Sequence, residues 1–279
     1  MFIVRYKLTA EEKAKPYAKY FYREVTPPDP EKLAKMDQPI DPGKALPIER
    51  INDLLKPGYL DVEIGWCIMP DGSGFIANHN IMPGVTVEML KWWFAWHSLE
   101  DLRYKIWYKP GHFAISVSEE ARERILDPKT SIDEKLWGIT HHVVEACDGP
   151  TENIYISFLS PEDLGFDMNL FKPPYAAAVF GGNGVSQMID PPPGVPNRKS
   201  PAVMVHLIRE IEGGVEMRTR FWMGKKIIDK KPVHCLPRGA KIPPFVPQNL
   251  ARHNVKEFAN LASFLPQIYE EQKDKPMGE

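Results

Sequence analysis

The sequence predicts an α+β fold in which a curved antiparallel sheet is closed on one face by a long C-terminal helix. Two observations carry that prediction. Between Gly58 and Met223 the chain is a succession of short runs rich in β-branched and aromatic residues, separated by turn residues. From about Pro247 to Glu271 it becomes one amphipathic helical run. A third observation sets the scale, since 279 residues can bury one large core or two unequal ones.

The elements follow in chain order. Residues 1–58 read as an irregular helical segment. Thr9-Ala10-Glu11-Glu12 has the form of a capping box, Asp29 to Leu33 suggests a second short helix, and Ile48 to Leu55 a third. Pro27, Pro28, Pro30, Pro39, Pro42, Pro47 and Pro57 punctuate them. Such a segment is too small for its own core, so it packs on the main domain, residues 59–279, or on a second subunit.

Strands are then expected at Tyr59–Met69 and Gly74–Met82, around the turn Pro70-Asp71-Gly72-Ser73. Thr86 caps a helix carrying Met89, Leu90, Trp92, Trp93, Phe94 and Trp96, apolar nearly all round and therefore buried. Further strands are expected at Tyr104–Tyr108, Phe113–Ser118, Ile139–Ala146, Asn153–Leu159, Ala176–Phe180, Val203–Glu210 and Val215–Met223, the last two joined by Gly213-Gly214. A helix closing a curved sheet commonly encloses a ligand cavity.

Composition removes several functions. Lys plus Arg number 35 and Asp plus Glu 37, for a net charge of −2, so no positive field exists to gather nucleic acid or an anionic membrane surface. The three cysteines, Cys67, Cys147 and Cys235, form neither a CxxC nor an even set, which points to a reducing compartment, the cytoplasm. No apolar stretch reaches signal-peptide or membrane-spanning length.

Chemistry is concentrated on the last helix. Its apolar arc contains Leu250, Leu261, Phe264, Leu265 and Ile268, and His253 and Glu257 fall inside it at i and i+4. Arg252, Lys256, Ser263, Gln267 and Glu270 take the wet side. A carboxylate facing a core must meet something cationic, either a metal ion, a histidine or a buried arginine. In Ile139–Ala146, alternation places His141, Val143 and Glu145 on one face and Thr140, His142 and Val144 on the other, so Glu145 raises the same question. His112, where a turn delivers the chain into a strand, and His141 are both open as co-ligands. His79 and His234 read as surface residues and His97 as a core histidine. Two His and two Glu suit zinc, and the ligand types admit iron or manganese as well.

The ordered set Trp92-Trp93-Phe94-Ala95-Trp96-His97, Arg103-Tyr104-Lys105-Ile106-Trp107, Pro110-Gly111-His112-Phe113, His142-Val143-Val144-Glu145 and His253 to Glu257 resembles the 2,4-diacetylphloroglucinol hydrolase and phloretin hydrolase family from about residue 59 to 270. The resemblance implies a helix-grip, Bet v 1-like catalytic domain and a smaller N-terminal part that makes a homodimer. It also implies zinc-dependent hydrolysis of the carbon–carbon bond between an acyl group and a phloroglucinol-type ring. The ligands it implies for one Zn2+ per chain are His112, Glu145, His253 and Glu257. Tyr104 and His206 are implied as residues that hold or protonate the substrate, although the strand pattern also allows His206 to be a packed core histidine. Two positions depart from the family: Ile115 stands for an asparagine and Phe221 for a tyrosine, which implies a more apolar pocket for the small aromatic ketone.

Expulsion of an aryl carbanion is prohibitive, so the ring carbon must be protonated while water attacks the carbonyl. A metal-activated water, with Glu145 or Glu257 as general base, meets that need. Two alternatives use the same features: a non-catalytic carrier of hydrophobic ligands, and a metal-dependent decarboxylase or lyase of phenolic acids.

Overall fold

In the computed structural model, which describes residues 7–191, 193–194 and 197–279, ten strands and six α-helices are present among the described residues. The chain opens with α1 (Ala10–Ala14), whose Thr9/Glu12 capping box is complete, and α2 (Pro30–Ala34), capped by Asp29. Residues Ile48–Leu55 form a 3-10 helix broken at Arg50 rather than an α-helix. Strands β1 (Gly65–Ile68) and β2 (Gly74–Pro83) make the first hairpin, and α3 (Val87–Trp96) follows, capped by Thr86. Next come α4 (Asp101–Trp107), β3 (His112–Ser116), α5 (Glu119–Leu126), β4 (Thr140–Ala146), β5 (Thr151–Phe158), β6 (Ala178–Met188), β7 (Ser200–Ile211) and β8 (Gly214–Met223). The hairpin β9 (Lys225–Ile228) and β10 (Lys231–His234) leads to α6 (Phe245–Gln272).

Eight strands form one antiparallel sheet in the order β1-β2-β8-β7-β6-β5-β4-β3. The long β2–β8 pairing, from Gly74↔Met223 to Pro83↔Gly214, carries the chain from the first hairpin back to the last strand of the sheet. One sheet face lies under α6, where Phe258, Leu261, Phe264, Leu265 and Ile268 join Trp93, Trp96 and Trp107 in the principal core. Burying such large side chains contributes roughly 1.5–3 kcal/mol each.

Residues 45–55 cover the opposite face, with Leu46, Ile48, Ile51, Leu54 and Leu55 packed on Phe75, Val203, Val205 and Trp222. Buried arginines pin this layer. Arg209 donates to the carbonyls of Leu54, Lys56, Gly58 and Tyr175, while Arg218 and Arg220 both pair with Glu63. The N-terminal segment therefore rests on the sheet of its own chain.

The sequence reading errs at Tyr104–Tyr108, which is the end of α4 and not a strand. Its run of aromatic residues matches strand composition, but seven residues are too few for a helical period to show, and tertiary contacts decide. The Arg103 side chain is fully buried and donates to Tyr17 Oη and to the carbonyls of Trp96 and Met277, which fixes this turn of helix. The reading also missed α5 and the β9–β10 hairpin, and β1 is shorter than Tyr59–Met69.

Candidate metal centre

Three elements converge where the sheet's β3 edge meets α6. Trp107 Nε1 donates to the Glu257 carbonyl at 3.2 Å and Asn260 Nδ2 to the Trp107 carbonyl at 2.7 Å, clamping the end of α4 against α6. The chain then turns through Tyr108 to Gly111, with the His112 N–H donating to the Tyr108 carbonyl at 2.9 Å, and enters β3 at His112. Gly111 is required by close approach, because a Cβ there would lie 2.8 Å from His253 Cε1 and 2.9 Å from the Ala146 carbonyl oxygen. In the β3–β4 pairing, His112 stands opposite Glu145.

The four expected ligands come together. His112 Nε2 lies 3.3 Å from His253 Nε2, 3.4 Å from Glu257 Oε2 and 3.9 Å from Glu145 Oε2, and Glu257 Oε2 lies 3.9 Å from His253 Nε2. His112, Glu145 and His253 have donor atoms all within 4.8 Å of one another, and Glu257 Oε2 lies within 3.9 Å of both histidines. Ligands held at zinc distances of about 2.0–2.1 Å in a tetrahedron lie about 3.4 Å apart, so the spacing fits a small divalent cation. The ring chemistry fits too. His112 Nδ1 faces the Tyr104 carbonyl at 3.3 Å, which leaves the Nε2 lone pair aimed at the centre, while His253 Nδ1 is buried with no hydrogen-bond partner among the described residues. A cation that both Nε2 atoms can address resolves their otherwise poor mutual contact.

Electrostatics point the same way. Burial pushes the His112 imidazole down to about 4, against the pull of Glu145, so it is neutral and free to ligate near pH 7. Burial likewise depresses His253, more strongly than Glu257 and Glu145 raise it. Glu257 is driven up to about 8 by burial, with Glu145 adding to the rise and His253 and Asn254 opposing it. Burial also raises Glu145, but His253, His112, Tyr104 and Cys147 together outweigh it and hold the group below the ordinary carboxylate range. Neither carboxylate is paired with a lysine or arginine among the described residues; their partners are His112, His253, Tyr104, Cys147 and Asn254.

Around this centre, the Tyr104 hydroxyl donates a short hydrogen bond to Glu145 Oε2, and Cys147 Sγ donates to Oε1 at 3.0 Å. Tyr104 is thus brought to the cluster from a helix, where the sequence reading had placed a strand. His206, on β7, is buried with Nδ1 bonded to Thr219 Oγ1 at 2.8 Å, and its ring lies 5.0 Å from Phe258 and 5.8 Å from Phe221. No hydrogen bond joins it to the four-residue cluster among the described residues. Ile115 is buried in the same apolar core as Tyr104 and Val143. Phe221 packs with Met204 and Val255.

The other histidines separate clearly. His141, left open as a ligand, instead packs against Phe158 and His97, with ring centroids 4.7 and 5.6 Å apart. His97 is a core histidine bonded to the Trp93 carbonyl at 2.7 Å. His234 is exposed as expected, whereas His79 is half-buried and pairs with Glu216 at 2.6 Å. A groove of about 420 Å³ runs along another flank of α6, lined by Asn80, Ile81, Val255, Phe258 and Ala262 among others. None of the four clustered groups lines it. Sequence reasoning missed Cys147 and Asn254 as neighbours of the carboxylates, and Asn78 as the partner of Asn254. The Asn254–Glu257 spacing of i and i+3 was the one local signal available.

Comparison with known proteins gives a consistent answer. The model of the DAPG hydrolase PhiG domain matches residues 46–270, most of the chain. The chain is 36% identical to a phloretin hydrolase of Eubacterium ramulus over 276 residues, covering 97% of this chain and 95% of that one. It is 29% identical over 272 residues to 2,4-diacetylphloroglucinol hydrolases of a Pseudomonas species and of Pseudomonas protegens. Those matches cover 92% of this chain and 88% and 84% of the relatives. With a family match of that extent lying across all four of the clustered residues, the chain belongs to the DAPG hydrolase family.

Proposed function

We propose that this enzyme hydrolyses the carbon–carbon bond between an acyl group and a polyhydroxylated, phloroglucinol-type ring, giving a carboxylic acid and the free ring, with one divalent metal per chain. The observation that carries the reading is the convergence of His112, Glu145, His253 and Glu257 with no arginine or lysine among the described residues to balance them. Their nitrogen and oxygen donors suit Zn2+. Bound there, the ion supplies Lewis acidity for the acyl carbonyl and for the attacking water.

The chain's own residues do the rest. Tyr104 Oη, which donates to Glu145, is the group that passes a proton to the ring carbon as the bond to the acyl carbon breaks, and the proton that the attacking water gives up returns to it through Glu145. That transfer lets the ring leave as a neutral phenol rather than as a carbanion. His206, neutral because burial pushes it down to about 3, orients a ring hydroxyl while Thr219 fixes its other nitrogen. Ile115 and Phe221 are apolar walls. They favour an aryl ketone with a hydrophobic acyl arm, in keeping with the higher identity to the phloretin hydrolase.

The sheet closed by α6 is read as a helix-grip, Bet v 1-like domain of residues 59–279, with residues 1–58 as the part that makes a homodimer in the cytoplasm. Elemental analysis of the purified protein, followed by incubation with phloretin, mono- and diacetylphloroglucinol and a phenolic acid, tests the proposal. Release of the free ring from the ketones by zinc-containing protein is expected. Decarboxylation of the acid alone would favour a lyase, tight binding without turnover would favour a carrier, and full activity of metal-free protein would overturn the metal-dependent reading.

A further inference from the structure

The two carboxylates of the centre are held differently. Glu145 has partners on both oxygens, Tyr104 and Cys147. Glu257 has its Oε2 toward the histidines, so the direction of the whole group depends on what holds Oε1. That partner is Asn254, one turn back on α6, whose Nδ2 donates at 3.0 Å. The Asn254 carbonyl oxygen accepts from Asn78 Nδ2 at 2.9 Å, and the same Asn78 nitrogen donates to the Ala251 carbonyl at 3.0 Å. Both asparagine side chains are 0% exposed, so water does not substitute for either contact.

The chemistry fixes the sense of this chain. A carboxylate that holds a cation only accepts, so Asn254 presents its NH2 to Glu257 and its side-chain carbonyl oxygen to β2. Asn78 must then present NH2 in turn. Each amide orientation is set by the next, and the line ends on the oxygen that leaves Oε2 aimed at His112 and His253. Asn78 lies on β2, next to the far edge of the sheet from β3 and β4, and touches none of the four clustered residues through the contacts above.

We propose that Asn78 is a positioning residue that acts through Asn254 to hold the Glu257 carboxylate in the orientation a divalent cation requires, so that β2 takes part in building the metal site from outside it. The inference rests on the proposed metal-dependent reading. Loss of an outer partner of a metal ligand typically costs roughly 10–100-fold in metal affinity.

The test is Asn78→Leu, which keeps the branched outline and removes the donor, with Asn78→Ala as a second variant should the bulkier leucine fail to fold. Asn183→Leu serves as a comparison, because Asn183 makes equally structural amide bonds to Ile227 on β9. Zn2+ affinity is measured by competition with a chromophoric chelator on the full-length chain, and kcat and KM with phloretin. The expected result is Zn2+ affinity lowered roughly 10–100-fold in the Asn78 variants and not in the Asn183 variant, with kcat reduced and KM little changed. Unchanged Zn2+ affinity at Asn78, or an equal fall at Asn183, would overturn the relay and leave the reaction intact. A wild-type chain that binds no Zn2+ would overturn both. Altered affinity in a chain that releases no ring from any acylphloroglucinol would uphold the relay and reject the reaction.

Discussion

Tyr104 lies face to face with His112, their ring centroids 4.0 Å apart and their planes within 3°, while the hydroxyl of the same tyrosine bonds Glu145. One side chain from α4 thus touches two of the expected ligands, one by stacking and one by a proton. The stack orients the imidazole, and the hydroxyl steadies the carboxylate and is the acid of the proposed reaction. Burial, reinforced by Glu145, raises the Tyr104 phenol well above its ordinary range, so it keeps its proton until a reaction calls for it.

Tyr104→Phe preserves the stacked ring and deletes only the hydroxyl. Bound zinc should remain near one per chain while kcat for ring release falls by about 100-fold or more, the lower bound typical of a lost general acid. Elemental analysis beside steady-state kinetics checks both halves. A parallel loss of metal would show the hydroxyl to be a structural prop for Glu145 instead.

Glu257→Ala should remove both metal and turnover, because it leaves His112 and His253 with a single carboxylate. Glu257→Gln keeps a neutral oxygen in place and should retain weak binding. Dialysis against buffered Zn2+ and assay for the free ring distinguish the two, and full activity in a zinc-free Glu257→Ala chain would contradict the proposed role.

Stripping the ion with a chelator should lower the melting temperature reversibly. A ligand at 100 times its Kd stabilises the native state by about 2.7 kcal/mol, and His112 and His253, which the ion ties together, come from separate elements. Calorimetry before chelation, after it and after Zn2+ is restored reads the effect. Ca2+ should restore little of it, since that ion demands more oxygen ligands at longer distances.

A separate pH response belongs to the sheet's other face. Burial opposes ionisation of Glu63, but Arg218 and Arg220 outweigh it and bring the carboxyl from 4.5 to about 2. A group depressed on folding contributes stability that is complete above its unfolded value and is lost as pH falls toward its folded one. Between pH 4.5 and 2 the chain should therefore lose on the order of 3 kcal/mol from this site. Urea titrations across that range should show a shallower decline in Glu63→Gln, which should also be less stable at pH 7 because two buried arginines lose their counter-charge.

How much of this was legible in the sequence depended on whether the signal was local. The apolar arc of α6 displayed His253 and Glu257 as misplaced polar groups, and the alternation of β4 did the same for Glu145. Both signals survive folding because they are set by helix and strand period. His112 was not separable from His141 by pattern, since each begins or lies within a strand; the close approach of Gly111 to His253 and the packing of His141 on Phe158 decide between them. The seven residues of α4 are held by Arg103 reaching Tyr17 and Met277, contacts spanning 86 and 174 positions, which no local window contains. The turn of the β9–β10 hairpin uses Asp229 and Lys230 at positive φ, where the usual glycine cue is missing. Asn78 and Asn254 are 176 positions apart, and neither looks unusual alone.

Gly111 gives the assembly its last property. With an alanine there, the added methyl would lie between the His253 ring and the strand carbonyl of Ala146, both nearer than contact distance. The chain would then have to surrender either the register of β3 against β4 or the seating of α6. An opening of a few tenths of an ångström is thus not freely available to these two imidazoles. The seat of the His253 ring is fixed by neighbouring backbone as well as by its rotamer.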